Sequence, residues 1–133
     1  ATGYATFQSH NQKVVHTSAG IFTTHIRSRN EAYTAQQWRL SRSLDGGKTF
    51  KAIFEDTHAT NPPPLEVDSK GNLYLARCDF VGGDAYFYRF TTGHLDQSPA
   101  ITTIPGGAAG KVCLCLDEPR QQIYFFSHNN SFH

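Results

Sequence analysis

The chain has 133 residues, 13% of them aromatic, and its 12 Lys and Arg against 11 Asp and Glu leave a formal net charge of +1. This near balance of charge gives no reason to expect nucleic acid or an anionic membrane surface as a partner. No stretch approaches the roughly 18 consecutive apolar residues of a membrane-spanning helix. The length is that of one ordinary globular domain.

Apolar and polar residues alternate along much of the chain, as at Trp38 and Leu40, and no window sustains the apolar stripe of a helix. In chain order the pattern predicts strands near 13–17, 20–27, 33–43, 49–54, 64–68, 72–78, 85–91, 100–104, 111–117 and 122–127. The run 112–116, Val-Cys-Leu-Cys-Leu, is apolar on both faces, which predicts a strand covered on both sides. The fold class is therefore all-β.

An internal repeat organises these strands. A strand, a polar turn and a second strand recur with aromatic anchors at Phe22, Tyr74 and Tyr124, which lie 52 and 50 residues apart. Units of this length with four strands each are typical of β-propeller blades. The sequence thus predicts a partial β-propeller of about two and a half four-stranded antiparallel blades. A single domain over residues 1–133 would hold blades at 13–54 and 64–104 and a half blade at 111–127.

Such a ring is not closed. A propeller removes its sheet edges by pairing its last blade with its first, and a two-stranded half blade leaves one edge open. Two completions stay open at this point. Either copies of the chain form a homo-oligomer that completes the propeller, or the chain is a fragment of a longer protein whose remainder completes it.

Residues 43–50, Ser-Leu-Asp-Gly-Gly-Lys-Thr-Phe, form the most specific motif of the chain and connect the third and fourth predicted strands. Asp45 is expected to accept hydrogen bonds from the backbone of the turn. Gly47 and the glycine before it can supply positive φ angles, and the motif's Ser and Thr can bond across the turn. Phe50 is expected to re-enter the sheet as a hydrophobic anchor.

This segment matches the Asp-box, S-x-D-x-G-x-T-[W/F], and its defined positions are Ser43, Asp45, Gly47, Thr49 and Phe50. Together with the repeat, it makes residues 13–127 resemble the sialidase-like, BNR-repeat superfamily. The resemblance implies a propeller, a structural role for the box, and a functional face on the side opposite to it. It also implies carbohydrate binding or a relation to glycoside hydrolases. A non-catalytic protein-interaction or scaffold module is the alternative, because fold does not determine function.

The resemblance implies that functional groups lie in the links between blades and in the turns between second and third strands. The candidate ligand-binding residues in these loops are Arg29, Glu31, His58, Asn61, Asp79 and Asp84, and the same loops carry Asn30, Asp56 and His128. Arg27 and Arg77 are candidates at adjoining strand ends, and Glu66 is a candidate in the innermost strand of its blade, where it would face the central channel. In a sialidase-type mechanism arginines bind the substrate carboxylate, and a Tyr nucleophile is activated by a carboxylate. No residue matches a motif for that nucleophile. No catalytic residue is therefore assigned, and catalysis by this chain alone is not expected.

Three cysteines, Cys78, Cys113 and Cys115, cannot all pair within one chain. Cys113 and Cys115 would share one face of a strand, and no second thiol pair or His lies at zinc spacing. They are predicted to be small buried hydrophobic residues of undetermined redox state. We expect no metal and no cofactor, and a glycan as the partner. No compartment follows from the sequence, and a secreted or periplasmic location is compatible with it.

Overall fold

The computed structural model describes residues 12–32, 35–57, 61–78, 83–106 and 111–128. The strands in these ranges are β1 (Val14–Thr17), β2 (Gly20–Ser28), β3 (Gln36–Ser43), β4 (Lys51–Thr57), β5 (Leu65–Val67), β6 (Leu73–Cys78), β7 (Ala85–Phe90), β8 (Ala100–Ile104), β9 (Lys111–Asp117) and β10 (Gln122–His128). A short 3₁₀ turn, Glu118–Arg120, connects the last two strands. The predicted all-β class is confirmed, and each strand boundary lies within three residues of its predicted position.

The strands form three antiparallel sheets, and within each sheet every strand pairs with its neighbour in the chain. Sheet 1 has the order β1-β2-β3-β4, sheet 2 has the order β5-β6-β7-β8, and sheet 3 consists of β9 and β10. The connections alternate between two edges of the structure. The turn at 44–50 lies at one edge, which we call the box edge, and the ends of β2, β4, β6 and β8 lie at the opposite edge.

One face of sheet 1 packs on sheet 2 and forms the main hydrophobic core. The core side chains include Val15, Phe22, Ile26, Trp38, Leu40, Leu65, Leu73, Leu75, Tyr88 and Phe90. The Trp38 ring lies 5.2 Å from that of Tyr88 and 5.3 Å from that of Phe54, both in inclined geometry. Each such aromatic pair contributes about 0.5–1.5 kcal/mol beyond the burial of its area. These residues share one face because every second side chain of a strand points to the same side of the sheet.

A bulge in sheet 1 sets which residues of β4 face sheet 2. The register between β3 and β4 shifts between Leu40 and Ser41, so that Leu40 pairs with Phe54 while Ser41 pairs with Ala52. The extra residue keeps Phe54 on the core side. It also keeps Asp56, which is opposite Trp38, on that side at the end of the strand. The bulge therefore carries a carboxylate into the interface between the two sheets.

The other face of sheet 2 packs on sheet 3 through a smaller cluster. Its buried members are Ala76, Val112 and Leu114, with Cys78, Ile123 and Phe125 partly buried against them. At the box edge, the Glu118 carboxylate accepts hydrogen bonds from the backbone N–H and the hydroxyl of Ser69. This bond connects the turn of sheet 3 to the first turn of sheet 2.

The far face of sheet 3 is not covered by any described residue. Tyr124 is 44% exposed and Phe126 is 60% exposed, and Cys115 on the neighbouring strand is exposed as well. The expectation that residues 112–116 are covered on both sides is therefore wrong for the described structure. Only Val112 and Leu114 are buried, because sheet 2 packs on one face alone.

The repeat seen in the sequence has a structural counterpart. Phe22, Tyr74 and Tyr124 all lie on the second strand of their sheets. Phe22 is buried against sheet 2, and Tyr74 is on the face of sheet 2 that packs on sheet 3, where it stacks on Phe87. Tyr124 occupies the equivalent face of sheet 3, which is the exposed one. In all three sheets, the aromatic residue of the second strand therefore lies on the equivalent face.

Candidate functional site

The turn at residues 43–50 is held by a compact set of hydrogen bonds around Asp45. Asp45 Oδ1 accepts from the Ser43 hydroxyl at 2.7 Å and from the Thr49 N–H at 2.9 Å, and Oδ2 accepts from the Thr49 hydroxyl at 2.6 Å. Ser43 Oγ in turn accepts from the Gly47 N–H at 2.8 Å. These bonds lower the pKa of Asp45 to about 2, and the bond from the Thr49 hydroxyl has the largest effect. Every bond stays within the turn, so Asp45 acts here as a structural residue.

Two further expectations about this turn have different outcomes. Gly46 and Gly47 adopt φ angles of 73° and 91°, which confirms the predicted positive φ. Phe50 lies before the first residue of β4 and is 46% exposed, so it is not the buried anchor that the motif predicts. The aromatic packing of β4 comes instead from Phe54, which the bulge keeps on the core side.

A second turn at the box edge is also built around an aspartate. Asp68 accepts hydrogen bonds from the Asn72 N–H and side-chain amide at 2.8 and 2.7 Å, and from the Tyr74 hydroxyl at 2.9 Å. Burial opposes ionisation of Asp68, but the bonds from Asn72 and Tyr74 outweigh it, and the pKa of Asp68 is lowered. This edge therefore uses its carboxylates to close hairpins.

The edge opposite the box edge contains a polar cluster between sheets 1 and 2. We call Asp56, Arg77, Tyr86 and Tyr88 the Arg77 cluster. Arg77 Nε donates to the Tyr88 hydroxyl at 2.9 Å and lies 3.6 Å from Asp56 Oδ2. The Tyr88 hydroxyl donates to the same carboxylate oxygen at 2.8 Å. The Arg77 guanidinium lies 4.3 Å from the centre of the Tyr86 ring, a cation–π contact.

Strand register explains how these four residues meet. Arg77 pairs with Tyr86 across β6 and β7, and Leu75, two residues earlier, pairs with Tyr88. Leu75 and Tyr88 belong to the main core, so they face sheet 1. Arg77 and Tyr86 lie two residues away on the same strands and therefore face sheet 1 as well. Asp56 reaches them from sheet 1 because of the bulge in β4. The cluster is thus assembled from three strands of two sheets.

The electrostatics of the cluster argue against a tyrosine nucleophile. Tyr88 is only 1% exposed, and burial, followed by its hydrogen bond to Asp56, raises its pKa far above the ordinary value of 10. Its hydroxyl therefore stays protonated and donates to the carboxylate. A nucleophile needs the opposite, a lowered pKa and access to the substrate.

The other candidate residues are not gathered around Arg77. Arg27, near the end of β2, is exposed, and it follows the buried Ile26, so it faces the side of sheet 1 away from sheet 2. Arg29 and Glu31 lie in the following turn and are exposed. Arg29 contributes its backbone N–H to Ala35 O at 2.8 Å, which closes that turn. The described arginines therefore form no three-membered clamp for a carboxylate.

Three further candidates have separate surroundings. Asp84 accepts a hydrogen bond from the Gly106 N–H at 3.1 Å and so connects two loops of the same edge. Asn61 is half-buried at the entry to sheet 2. Glu66 lies in the middle of β5, and partial burial raises the pKa of its carboxyl group. His58 and Asp79 lie outside the described residues.

Sequence reasoning missed Tyr86 and Tyr88 as site residues. Residues 85–90, Ala-Tyr-Phe-Tyr-Arg-Phe, carry aromatic residues on both faces, so alternation alone does not reveal which of them meet an arginine. It also missed a polar group on the outer face of sheet 1. There Arg39 Nη2 lies 2.6 Å from Glu55 Oε1, and Gln37 donates to Glu55 Oε2 at 2.8 Å. Contacts between side chains on neighbouring strands can be predicted only when the pairing register of those strands is known.

Within the described ranges, no group of three or more His, Cys, Asp and Glu side chains is arranged to hold a metal ion. The same part of the chain contains no helix that is long and apolar enough to cross a membrane. Comparison of the chain with models of known protein families, with curated proteins and with solved structures finds no match.

Proposed function

We propose that this chain is part of a sialidase-like Asp-box β-propeller whose function is to bind carbohydrate. The observation that carries the proposal is the turn at 43–50, in which Ser43, Asp45 and Thr49 form a closed set of hydrogen bonds between the third and fourth strands of a four-stranded antiparallel sheet. The motif's residue types and its position within the sheet thus agree. Three successive sheets with corresponding residues on corresponding faces add support for blades.

Binding is preferred over hydrolysis on chemical grounds. Sialidase-type hydrolysis uses a tyrosine, activated by a carboxylate, as a nucleophile that must reach the sugar ring. Two described tyrosines donate to a carboxylate, Tyr88 to Asp56 and Tyr74 to Asp68, and the pKa of each is raised. Tyr88 is also buried. The Arg77 cluster instead offers a carboxylate, a guanidinium and an aromatic ring at the edge opposite the box turn, a combination suited to sugar hydroxyls.

The test is binding of the chain to a panel of neutral and acidic glycans at millimolar concentration, followed by nuclear magnetic resonance. We expect chemical-shift changes for at least one class and no hydrolysis of a fluorogenic sialoside. Lack of binding to every member of the panel would contradict the carbohydrate proposal. Hydrolysis of the sialoside would replace it by an enzymatic one.

A second candidate function, a protein-interaction or scaffold module, is favoured by the exposed face of sheet 3. Tyr124 and Phe126 present aromatic surface there, and β10 presents an unpaired strand edge among the described residues. Absolute mass by light scattering distinguishes self-association from a monomer. A discrete oligomer that becomes monomeric in the Phe126→Asp variant would favour completion of the ring by copies of this chain.

A further inference from the structure

Arg42 is a half-buried arginine that pairs with no carboxylate of the described residues. At the box edge, its Nε donates to Ala19 O at 2.6 Å and its guanidinium lies 5.7 Å from the centre of the Phe22 ring. Its two Nη atoms donate to no described residue. Arg39 and Arg77, by contrast, each lie beside a carboxylate. A guanidinium held through Nε alone keeps both Nη atoms available, and such a pair of donors can bind a carboxylate in a bidentate manner.

The surface beside Arg42 forms an open depression between the turn at 17–20 and the turn at 43–50, which we call the Arg42 pocket. Its volume is about 340 Å³, and His16, Ile21 and Gly46 line it together with Arg42. All the residues that line it belong to the described part of the chain. Sites for small ligands have volumes of about 300–1,000 Å³, so the pocket has room for a small organic molecule.

Two cationic side chains meet at this end of sheet 1. Lys51 lies directly opposite Arg42 on β4, so both are on the same face of the sheet. Lys51 is exposed and forms no ion pair with a described carboxylate. The carboxylate of Asp45, in the neighbouring turn, is bonded at both oxygens by residues of that turn. Because like charges opposite each other destabilise a sheet, an anion bound at Arg42 would relieve this repulsion.

The equivalent arginine of sheet 2 has a carboxylate near it. Arg42 pairs with Phe22, and Arg89 pairs with Tyr74, which is the corresponding aromatic residue of sheet 2. The Tyr74 hydroxyl donates to Asp68 at 2.9 Å. Burial and then Asp68 raise the pKa of Tyr74, and the nearby Arg89 opposes this rise. Through one hydroxyl, Arg89 is therefore connected to a carboxylate of its own sheet.

In sheet 1, a threonine takes the place of that aspartate. Thr17 Oγ1 accepts a hydrogen bond from the Ala19 N–H at 2.9 Å, and Asp68 Oδ1 accepts one from the Lys70 N–H at 3.0 Å. In both turns, a glycine with positive φ follows three residues after the acceptor. The two turns are thus built alike, but a threonine hydroxyl has no charge. Of the two, only the turn of sheet 2 supplies a carboxylate on the side of its arginine.

We propose that the Arg42 pocket binds a small organic acid, whose carboxylate accepts hydrogen bonds from the two Nη atoms of Arg42. The ligand would supply the negative charge that Asp68 supplies in sheet 2. Charge-assisted hydrogen bonds are about twice as strong as bonds between neutral groups, and the bidentate geometry adds specificity for a planar carboxylate. The pocket lies at the edge opposite to the Arg77 cluster, so this inference goes beyond the proposed carbohydrate binding and does not depend on it.

The experiment compares acetate with acetamide, which has almost the same shape but no charge. Both are titrated into the unaltered chain at an ionic strength held constant with sodium chloride, and binding is followed by nuclear magnetic resonance. We expect acetate to bind at least about tenfold more tightly, equivalent to about 1.4 kcal/mol, with chemical-shift changes at Ala19, Gly20 and Gly46. Equal binding of the two, or no change at these residues, would overturn the inference and leave the carbohydrate proposal standing.

Variants of Arg42 separate its charge from its geometry. Arg42→Lys keeps the positive charge but loses the planar pair of donors, so acetate should bind more weakly, and Arg42→Gln should abolish the preference for acetate over acetamide. Arg120→Gln is the matched control, because Arg120 is exposed and already paired with Asp117 at 2.7 Å, and acetate binding should stay unchanged. Unchanged acetate binding by a folded Arg42→Gln variant would overturn the assignment to Arg42. The comparison on the unaltered chain does not depend on the folding of any variant.

Discussion

The two interfaces between the sheets differ in size and chemistry. Between sheets 1 and 2, aromatic side chains such as Trp38, Phe54 and Tyr88 interlock in a continuous core. Between sheets 2 and 3, the buried members are Ala76, Val112 and Leu114. Because burial of apolar area contributes about 25 cal/mol per Å², the first interface, which buries more and larger apolar side chains, contributes more hydrophobic stabilisation than the second.

The two interfaces also differ in the position of the hydrogen bonds that connect their sheets. The large interface encloses the Arg77 cluster at one end, where Asp56 and Tyr88 connect the sheets through a hydrogen bond of 2.8 Å. The small interface is joined at the box edge by Glu118 and Ser69, whose contact is exposed. We therefore expect sheets 1 and 2 to unfold together and sheet 3 to open at lower free energy.

The largest effect should come from the centre of the large interface. Trp38 is fully buried, and Trp38→Ala should lower the free energy of unfolding by about 3–5 kcal/mol, as for other large aromatic truncations. Trp38→Phe should cost much less, since the indole N–H has no hydrogen-bond partner among the described residues. Denaturant unfolding measures both, with Leu44→Ala, at a 76% exposed position, as the control. Equal losses for the two Trp38 variants would contradict this account.

A matched pair of leucine truncations compares the interfaces directly. Leu75 is fully buried in the main core, and Leu114 is 4% exposed in the small cluster. Both substitutions to Ala should fall in the range of about 2–5 kcal/mol, with Leu75→Ala towards the upper end and Leu114→Ala towards the lower. The smaller cluster lies next to an exposed face and can collapse around the missing atoms. A larger loss for Leu114→Ala would mean that the small interface is the more important one.

The polar connection of the small interface should contribute less. Glu118→Gln weakens the bonds from Ser69, and because the contact is exposed the loss should be about 0.5–1 kcal/mol. Hydrogen exchange should accelerate in β9 and β10 and stay unchanged in sheet 1. Glu31→Gln, in an exposed turn, should alter neither region. Faster exchange throughout the molecule would show that sheet 3 does not open separately.

The smallest effect is a pH dependence at the box turn, which takes part in neither interface. The folded-state pKa of Asp45, about 2, lies below the ordinary value of 3.8. Its stabilising contribution is therefore complete above the ordinary pKa and is lost as the pH falls towards 2. The difference in unfolding free energy between the unaltered chain and Asp45→Asn should shrink between these values. A constant difference would show that the carboxylate charge does not stabilise the turn.

Much of the fold was predictable because strands and turns leave local signals. Alternation located the strands, and the residue types around Asp45 predicted its hydrogen bonds to the turn. The bulge between Leu40 and Ser41 left no such signal, since it depends on the pairing of two strands. For the same reason the meeting of Asp56 with Arg77 was not predictable. A site assembled across two sheets depends on register and packing, whereas a hairpin turn depends on residues close in sequence.

The pairing of every strand with its neighbour in the chain has a kinetic consequence. Each strand pair closes only the loop of its own hairpin, the widest pair being Ile21 with Ser43, and the entropic cost of loop closure grows with loop length. The hairpins of sheets 1 and 2 can therefore form independently of each other, and only their docking joins distant parts of the chain, as in the bond from the Leu65 N–H to Gln12 O. Docking of preformed sheets, more than strand pairing, should then set the folding rate. The bulge of β4, once formed within its own hairpin, would present Asp56 in position before the two sheets meet.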